Sequence, residues 1–429
     1  MFIPEPTSNF NISILLFLQL TLILLACRSI GWLAKKLLGQ PQVVGEMIAG
    51  VVLGPSLLGM WFPEFHESVF PPQSRTVLYN FAQVGLVLYM FLVGLEFDLS
   101  LITSRLRSAV AVSVAGIATP FALGCGLAAF LLSDRGLFTE AVTVPQGMLF
   151  MGAAMSITAF PMLARIIYER GLSGTRMGTL ALAAGSSDDA AAWCILAVVL
   201  ASFKGDAEVA VWAIGGGVAY AVALFTVGRA LLARLEPIAQ RSDTLSPGVL
   251  SVVLMMLMLA AWYTDAIGIY AVFGAFMLGA AMPRGVLNNR LQATIGPLTT
   301  VLILPLFFVY SGLNTRIGLV DSVHLWLIAG AILAAAVIGK FAACALAARA
   351  TGEPWRDSLG IGALMNARGL MELIILNIGL EAKIITPTLF SVMVIMAIVT
   401  TLMATPCFEL ICGKRTVAPG TGRLAHGPA

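Results

Sequence analysis

Charge is the property that this sequence has least of. Only 11% of its 429 residues are Asp, Glu, Lys or Arg, whereas 59% are hydrophobic and the mean hydropathy is +0.94. Soluble domains carry about 25% charged residues, so a water-soluble fold would leave too much apolar surface exposed. The net charge of +3 gives no sign of a nucleic-acid partner. The composition therefore predicts a polytopic membrane protein whose solvent is the lipid bilayer.

The residues on which most enzymes and metal sites depend are few or scattered. The six cysteines show neither CxxC spacing nor a nearby histidine cluster, so we interpret them as small apolar packing residues. The three histidines, His66, His324 and His426, fall outside the apolar runs and are expected in solvated loops. Because no nucleophile–base pair, metal-ligand cluster or phosphate loop is visible either, we expect neither an enzyme nor a bound cofactor.

Long apolar runs, in contrast, fill the chain. A spanning helix needs roughly 20 mainly apolar residues. The sequence predicts an all-α protein with about thirteen transmembrane helices, at approximately 11–34, 42–60, 77–97, 106–132, 147–169, 177–203, 208–233, 246–264, 267–283, 297–315, 323–348, 357–380 and 386–412. They form one membrane domain over residues 1–412, and residues 413–429 are expected to be a short, disordered cytoplasmic tail.

An odd number of spans allows the second half of the chain to repeat the first half upside down. The prediction has three parts: a first six-helix repeat at about 11–203, a linker helix at about 208–233 and an inverted second repeat at about 246–412. Two motifs recur in the same order, AGVVLG (49–54) as GAFMLG (274–279) and FLVGLEFD (91–98) as FFVYSGLNTR (307–316). Inverted repeats of this kind are typical of secondary transporters.

Lysine and arginine are distributed unequally between the two sides of these spans. The side opposite the N-terminus holds 18 of the 25 basic residues, and the N-terminal side holds five. Because cytoplasmic loops carry an excess of Lys and Arg, this pattern predicts an N-terminus outside and a C-terminus in the cytoplasm, in the inner (cytoplasmic) membrane of a cell.

Two adjacent aspartates, Asp188 and Asp189, interrupt the sixth span within GSSDDAAAW. An ionised side chain at the centre of a span costs about 2.5–3.5 kcal/mol on insertion scales, so such residues are functional by default. A helix cap in a dividing loop is the plainer explanation, but it would leave an N-terminal piece of about 11 residues, too short to cross. A carboxylate in this setting holds a proton or a small cation, but not both at once.

Two more charged residues lie within other spans. Lys340 has about eight apolar residues on each side, so we expect it to pair with Asp188, although snorkelling to the interface is the alternative. Glu46 lies near the cytoplasmic end of the second span. It is expected either to line an access funnel or simply to sit at the interface.

The fifth span looks broken inside the membrane. It contains MSITAFPMLARI (155–166), with Pro161 in its interior and Thr158 just before. Proline removes a backbone donor, and exposed backbone at this depth is tolerated only where it faces protein or a wet cavity. An ordinary proline kink is the alternative interpretation.

The twelfth span holds a central polar cluster in GALMNARGLMELIIL (362–376), formed by Asn366, Arg368 and Glu372. It is the fifth span of the second repeat, and the span with Pro161 is the fifth of the first repeat. Interrupted helices at corresponding positions point to a transport site, where half-helix dipoles and freed carbonyls face ions. Mutual neutralisation of Arg368 and Glu372, which are four residues apart, is expected to contribute as well.

Six segments between residues 40 and 400 carry a family resemblance, in family order: QPQVVGEMIAGVVLGPSLLG (40–59), FLVGLEFDLS (91–100), MSITAFPMLARI (155–166), SSDDAAAW (186–193), LPLFFVYSGLNT (304–315) and LMNARGLMELIILNIGL (364–380). In these segments the chain resembles the monovalent cation:proton antiporter-2 family, which includes bacterial Na⁺/H⁺ and K⁺/H⁺ exchangers and plant cation/H⁺ exchangers.

The resemblance implies the sodium/proton antiporter fold, with two discontinuous crossing helices, scaffold helices that form a homodimer, and a core domain that moves by an elevator-like mechanism. It also implies that Asp189 binds the exchanged cation, Na⁺ or K⁺, in competition with H⁺. Asp188 together with Lys340 resembles the electrogenic sodium-type exchangers, whereas the flanking residues resemble the plant and potassium types, so the ion stays open. Potassium-efflux relatives often carry a nucleotide-binding regulatory domain, which is not expected here unless a separate subunit supplies it.

Two other classes of function fit parts of the pattern. A cation channel or a transporter-like sensor would use the same scaffold, and a channel would pass a cation current that does not depend on pH. An organic-anion symporter on a related inverted-repeat fold should present net positive groups to its substrate, whereas Asp188 and Asp189 are negative.

The predicted orientation can be tested with accessibility tags. A tag at either end of the chain is expected to react from outside at the N-terminus and only after permeabilisation at the C-terminus, because basic loops stay in the cytoplasm. A C-terminal tag that reacts in intact cells would contradict the orientation.

Overall fold

The structure is a computed structural model, and it describes residues 9–40, 42–96, 106–132, 136–172, 175–203, 207–241, 244–267 and 270–413. Over these ranges the chain is helical, and extended pairing is limited to one bridge between Phe138 and Ile385. The predicted all-α fold is confirmed.

The first half of the chain forms nine helices within the described ranges. They are α1 Asn9–Leu38, α2 Gln42–Leu53, α3 Leu58–Trp61, α4 Pro63–Val69, α5 Pro72–Glu96, α6 Leu106–Leu131, α7 Val144–Ser156, α8 Phe160–Glu169 and α9 Arg176–Phe203.

The second half begins with a helix that passes through a π-helical turn, and a second such turn lies between α15 and α16. The elements are α10 Ala207–Ala223, the turn Leu224–Gly228, α11 Arg229–Ala233, α12 Leu235–Gln240, α13 Pro247–Ala266, α14 Ala271–Ala281, α15 Val286–Leu298, the turn Thr299–Ile303, α16 Leu304–Asn314, the 3₁₀ turn Ile317–Leu319, α17 Val323–Ala350, α18 Trp355–Met365, α19 Leu370–Glu381 and α20 Pro387–Cys412.

Several helices begin at hydroxyl caps that the sequence places just before them. The side chains of Ser246, Ser322 and Thr386 accept hydrogen bonds from backbone N–H groups three residues on, at the starts of α13, α17 and α20. Such caps satisfy donors that have no partner within the helix. Proline at the first position of α13 and α20 has the fixed backbone angle that a helix start requires.

Nine helices within the described ranges are long and apolar enough to cross a membrane, so the protein is a multi-pass membrane protein. The number thirteen itself stays a prediction. The tenth predicted span begins earlier than expected, because the helix α15 starts at Val286 rather than near residue 297. That first part, α15, is amphipathic and buries Leu287, Leu291 and Ile295, a pattern that a search for apolar runs misses.

The helices pack in two groups. The core group consists of α6, α7, α8, α9, α17, α18, α19 and α20, and the scaffold group of α1, α2, α5, α13, α14, α15 and α16. The two groups meet where α2 and the 3₁₀ turn touch α20, and where α16 touches α19.

The repeated glycine motifs lie at the closest approaches within the scaffold group. A Cβ atom at Gly312 in α16 would lie 2.0 Å from the backbone carbon of Gly50 in α2, and one at Gly279 in α14 would lie 2.2 Å from the carbonyl oxygen of Phe91 in α5. Each motif therefore packs against the recurrence of the other motif. A two-fold relation between the halves would produce this exchange, and the inverted repeat remains a prediction that it supports.

The expectation of solvated histidines is wrong for His66. This side chain lies in the short helix α4 and is only 4% exposed, whereas His324 is exposed and His426 lies outside the described residues. Burial, with a smaller contribution from the positive charge of Arg75, lowers the pKa of His66. The neutral form is therefore favoured in the folded protein.

Replacing Gly312 by alanine is expected to lower the melting temperature of the purified protein. The added methyl group meets backbone rather than a movable side chain, and overpacking of this kind costs about 1–3 kcal/mol. The matched control is Gly330→Ala in α17, where a Cβ meets nothing within 4 Å. Equal melting temperatures for the two variants would show that the helices separate without cost.

Candidate ion site at two broken helices

Two helices of the core group are interrupted, and the interruptions face each other. Helix α7 ends at Ser156 and α8 begins at Phe160, while α18 and α19 are separated by residues 366–369. The N–H of Ala159 donates to the carbonyl of Ala367 at 3.2 Å, which joins the two breaks. The four helices are 10 to 13 residues long, so each covers only about half of a membrane span. We call this meeting point the crossing.

Pro161 follows the first break rather than bending a continuous helix. It is the second residue of α8, where its missing N–H would have no intrahelical partner anyway. The residue after α7, Ile157, is extended (φ −73°, ψ 135°). The fifth span is therefore a true interruption and not a proline kink. The Pro161 side chain itself lies outside the described residues.

Asp188 and Lys340 form an ion pair at the crossing. Lys340 Nζ lies 2.9 Å from Asp188 Oδ2, and both side chains are completely buried. Thr158, in the first break, donates its hydroxyl to the same Asp188 oxygen at 2.8 Å, and Lys340 also donates to the carbonyl of Ser156. Lys340 does not snorkel to the membrane interface, because its ammonium group lies buried inside the core group.

Asp188 keeps an unused oxygen. Its Oδ1 is buried and has no hydrogen-bond partner among the described residues. Asp189 is the next residue of α9. The Asp189 side chain lies outside the described residues.

Arg368 and Glu372 lie at the opposing ends of two half-helices. Arg368 Nη1 is 3.1 Å from Glu372 Oε2, and the guanidinium also donates to the carbonyls of Ala154 and Met155 at the end of α7. Those carbonyls are the negative end of the α7 dipole, while Glu372 lies in the first turn of α19, near a positive end. Each charge therefore lies near both its partner and a helix end, and compensation of the helix dipoles stays a prediction.

Asn366 ends helix α18 inside the second break. It is 3% exposed, and its Oδ1 has no partner among the described residues. The carbonyl of the preceding residue, Met365, lies 3.4 Å from the Thr158 hydroxyl. The two breaks thus bring Thr158, Asn366 and Asp188 into one buried polar region.

A cavity of about 900 Å³ opens at one end of the molecule, between the scaffold group and α9. Glu46, only 5% exposed, is one of the residues that line it, and its role in an access funnel stays a prediction. Leu182 of α9 also lines it, and at 1.5 Å per residue it lies about 9 Å along the helix from Asp188. Three more charged residues in the cavity lining were not predicted as site residues from the sequence: Arg28, Lys35 and Glu96.

Residues 20–412 match the model of the sodium/hydrogen exchanger family, transmembrane region. The chain belongs to the sodium/hydrogen exchanger family. The broken, crossing helices and their buried charges lie within the matched residues.

Curated relatives support the assignment. The chain is 39% identical to the Na(+)/H(+) antiporter NhaS4 of Synechocystis sp., over 92% of this chain and 97% of that protein. It is 32% identical to K(+)/H(+) antiporter 1 of Saccharomyces cerevisiae, over 94% of this chain, and spans only 47% of that longer protein. Sequence similarity to the family therefore extends over almost the whole chain.

The fold also matches a solved structure, that of the sodium proton antiporter MjNhaP1 from Methanocaldococcus jannaschii at pH 8. The TM-score is 0.64 and the match covers 92% of this chain and 96% of that chain, at 18% sequence identity. At this identity the likeness shows the fold, and it confirms the predicted sodium/proton antiporter architecture.

The energetic coupling of the buried ion pair can be measured with a double-mutant cycle. Removing one partner of a buried pair costs about 3–5 kcal/mol, because it leaves an uncompensated charge. We therefore expect Lys340→Ala to lower the melting temperature strongly, and Asp188→Asn to recover part of that loss in the double variant.

The exposed Lys383 provides the control. Lys383→Ala combined with Asp188→Asn is expected to give additive changes. Additive changes in the Lys340→Ala cycle as well would mean that the contact between Asp188 and Lys340 carries no net coupling.

Proposed function

We propose that this exchanger-family protein exchanges a monovalent cation, Na⁺ or K⁺, for H⁺ across the membrane by alternating access, with cation and proton competing for Asp189 and Asp188. The observation that carries the proposal is the fully buried Asp188–Lys340 ion pair at the crossing of two broken helices. A buried pair of this kind is costly, and function is the usual reason for keeping ionisable groups inside a membrane.

The charge balance of the crossing explains how competition arises. Lys340 compensates one carboxylate, so the second of the two adjacent aspartates needs a counter-charge of its own. A bound proton neutralises a carboxylate, and a bound cation balances it, but the same oxygens cannot do both. The Asp188 oxygen without a partner and the Thr158 hydroxyl are the described groups closest to that exchange.

The groups around the crossing have supporting roles in the proposal. Arg368 and Glu372 offset the half-helix dipoles, and Asn366 and Pro161 mark the two breaks. Glu46 lines the funnel through which ions reach α9. No resident metal or organic cofactor is invoked, because the transported ions themselves are the substrates.

Alternating access is supported by the difference between the cavities at the two ends of α5: one of about 900 Å³ reaches Leu182 of α9, whereas one of about 410 Å³, lined by Arg75 and Arg316, reaches none of the residues of the crossing. A cavity opens at the end where α5 finishes, and Arg28 and Lys35 line it, which agrees with a cytoplasmic location under the positive-inside rule. The separation into core and scaffold groups suits an elevator-like movement of the core. We accordingly place the protein in the inner membrane, with the N-terminus outside and the C-terminus in the cytoplasm, as a homodimer.

The names of the relatives include both Na⁺ and K⁺ as exchanged cations. One is a Na(+)/H(+) antiporter, one a K(+)/H(+) antiporter, and a third, from Bacillus cereus, is named Na(+)/H(+)-K(+) antiporter GerN and is 29% identical. The ion must therefore be ranked by experiment.

Reconstituted protein in liposomes with an imposed pH gradient provides the test. Addition of Na⁺, K⁺ or Li⁺ is expected to dissipate the gradient with wild-type protein, and Asp189→Asn is expected to reduce the rate more than tenfold because no titrating carboxylate remains at that position. Asp321→Asn removes the same charge from an exposed loop and should leave the rate unchanged. The order of ion potencies then names the substrate.

Two results would contradict the proposal. Silence of the wild type under gradients of both signs would favour a sensor or an organic-anion symporter. A cation current that does not vary with pH would favour a channel.

A further inference from the structure

The second half-helix of the twelfth span carries polar side chains that face the scaffold group. Asn377 and Glu381 are four residues apart and thus share one face of α19. Asn377 Nδ2 donates to Ser311 Oγ of α16 at 3.1 Å, and the hydroxyl of Tyr79 in α5 donates to Glu381 Oε2 at 3.3 Å. These two hydrogen bonds join a core-group helix to two scaffold-group helices. We call these four residues the closed seam.

The closed seam lies at the end of the molecule opposite the cavity. Tyr79 is near the start of α5, whereas Glu96, which lines the cavity, is its last residue. At 1.5 Å per residue the two positions are about 25 Å apart along the helix. The seam therefore lies on the opposite face, here called the closed face, where a smaller cavity of about 410 Å³ touches none of the four seam residues.

One buried amide oxygen of the seam has no hydrogen-bond partner among the described residues. Asn377 is 4% exposed and Ser311 is 1% exposed. The amide nitrogen of Asn377 is used in the seam, but Oδ1 of the same amide group has no partner among the described residues. Buried polar groups are normally satisfied, so an unpartnered amide oxygen in the wall between two helix groups needs an explanation. Amide and carbonyl oxygens are the ligands that replace the hydration shell of monovalent cations.

The outer edge of the seam carries charged residues. Glu381 is exposed at the end of α19, and Asp265 lies within electrostatic range of Tyr79. Arg75 lies within range of Tyr310, whose ring is 5.2 Å from that of Tyr79, and Arg316 lies within range of Arg75. Lys383 is exposed two residues after Glu381, so charges of both signs lie at this edge. The carboxylate available to a cation there is that of Glu381, one oxygen of which accepts the Tyr79 hydrogen bond.

We propose that Asn377 and Glu381 form a second monovalent-cation subsite, between the crossing and the closed face, which Tyr79 and Ser311 cover in this conformation. The inference rests on the proposed exchange, because a subsite on this face has a use only if ions leave or enter there. When α19 moves away from α5 and α16, both hydrogen bonds break. The Asn377 amide and the Glu381 carboxylate then face the opened path.

Labelling of Ser311→Cys in full-length protein in sealed vesicles tests the subsite directly. A membrane-impermeant maleimide added to the closed face is expected to react slowly with this variant and several-fold faster when Tyr79→Phe is also present. Wild-type protein gives the background from the native cysteines, of which Cys344 is fully buried and reports unfolding. Absence of labelling from the closed face in both backgrounds overturns the inference.

Protection by ions then shows whether the opened seam binds a cation. Na⁺ or K⁺, but not choline at the same ionic strength, is expected to slow the labelling. Glu381→Gln should raise the half-protecting concentration at least threefold, and Glu140→Gln, which removes an exposed carboxylate from the loop before α7, should not. Equal protection by choline, or no effect of Glu381→Gln, overturns the subsite.

The same measurement in an Asp189→Asn background separates this inference from the proposed function. Protection that persists there belongs to the seam. Protection that disappears there comes from the crossing, which overturns the subsite and leaves the exchange proposal standing. A wild type that exchanges no ions but shows protected labelling would contradict the exchange proposal and leave cation binding at the seam standing.

Discussion

A charge inside a membrane must have a partner, and the structure depends on the way this protein supplies one. Lys340 and Asp188 meet with no exposure to solvent, on two different helices of the core group. The low dielectric that makes the pair necessary also makes it strong. Because neither charge can be left alone, α9 and α17 are held in one relative position, and the two broken helices are arranged around them.

The breaks supply what continuous helices cannot. A continuous helix satisfies its own backbone groups, whereas the end of α7 leaves carbonyls that Lys340 and Arg368 bind. Two positive side chains thus meet one negative helix end, and Glu372 lies near the positive end of another. This pairing of side-chain charges with helix dipoles allows polar atoms to remain at the buried crossing.

The core and scaffold groups differ in how they are held together. The scaffold helices approach through glycines with almost no space between their backbones, as at Gly50 and Gly312. Its contacts with the core group are few and partly polar, such as the hydrogen bonds of Asn377 and Glu381. Hydrogen bonds of that kind are individually weak, so the boundary between the groups is the place where movement costs least.

The sequence by itself determined the class of protein, the two interrupted spans and the charged residues that matter, because lipid excludes unpaired charge and leaves each exception visible. Asp188, Lys340 and Arg368 stand out for that reason alone. Only the tertiary structure decided which oxygen Lys340 meets, that Glu46 and Glu96 line one cavity, and that His66 is buried. The amphipathic start at Val286 also escaped a search for apolar runs, since Asn288, Asn289, Arg290 and Gln292 interrupt its apolar residues. Residues far apart in the chain become partners through tertiary packing, which the amino-acid composition does not specify.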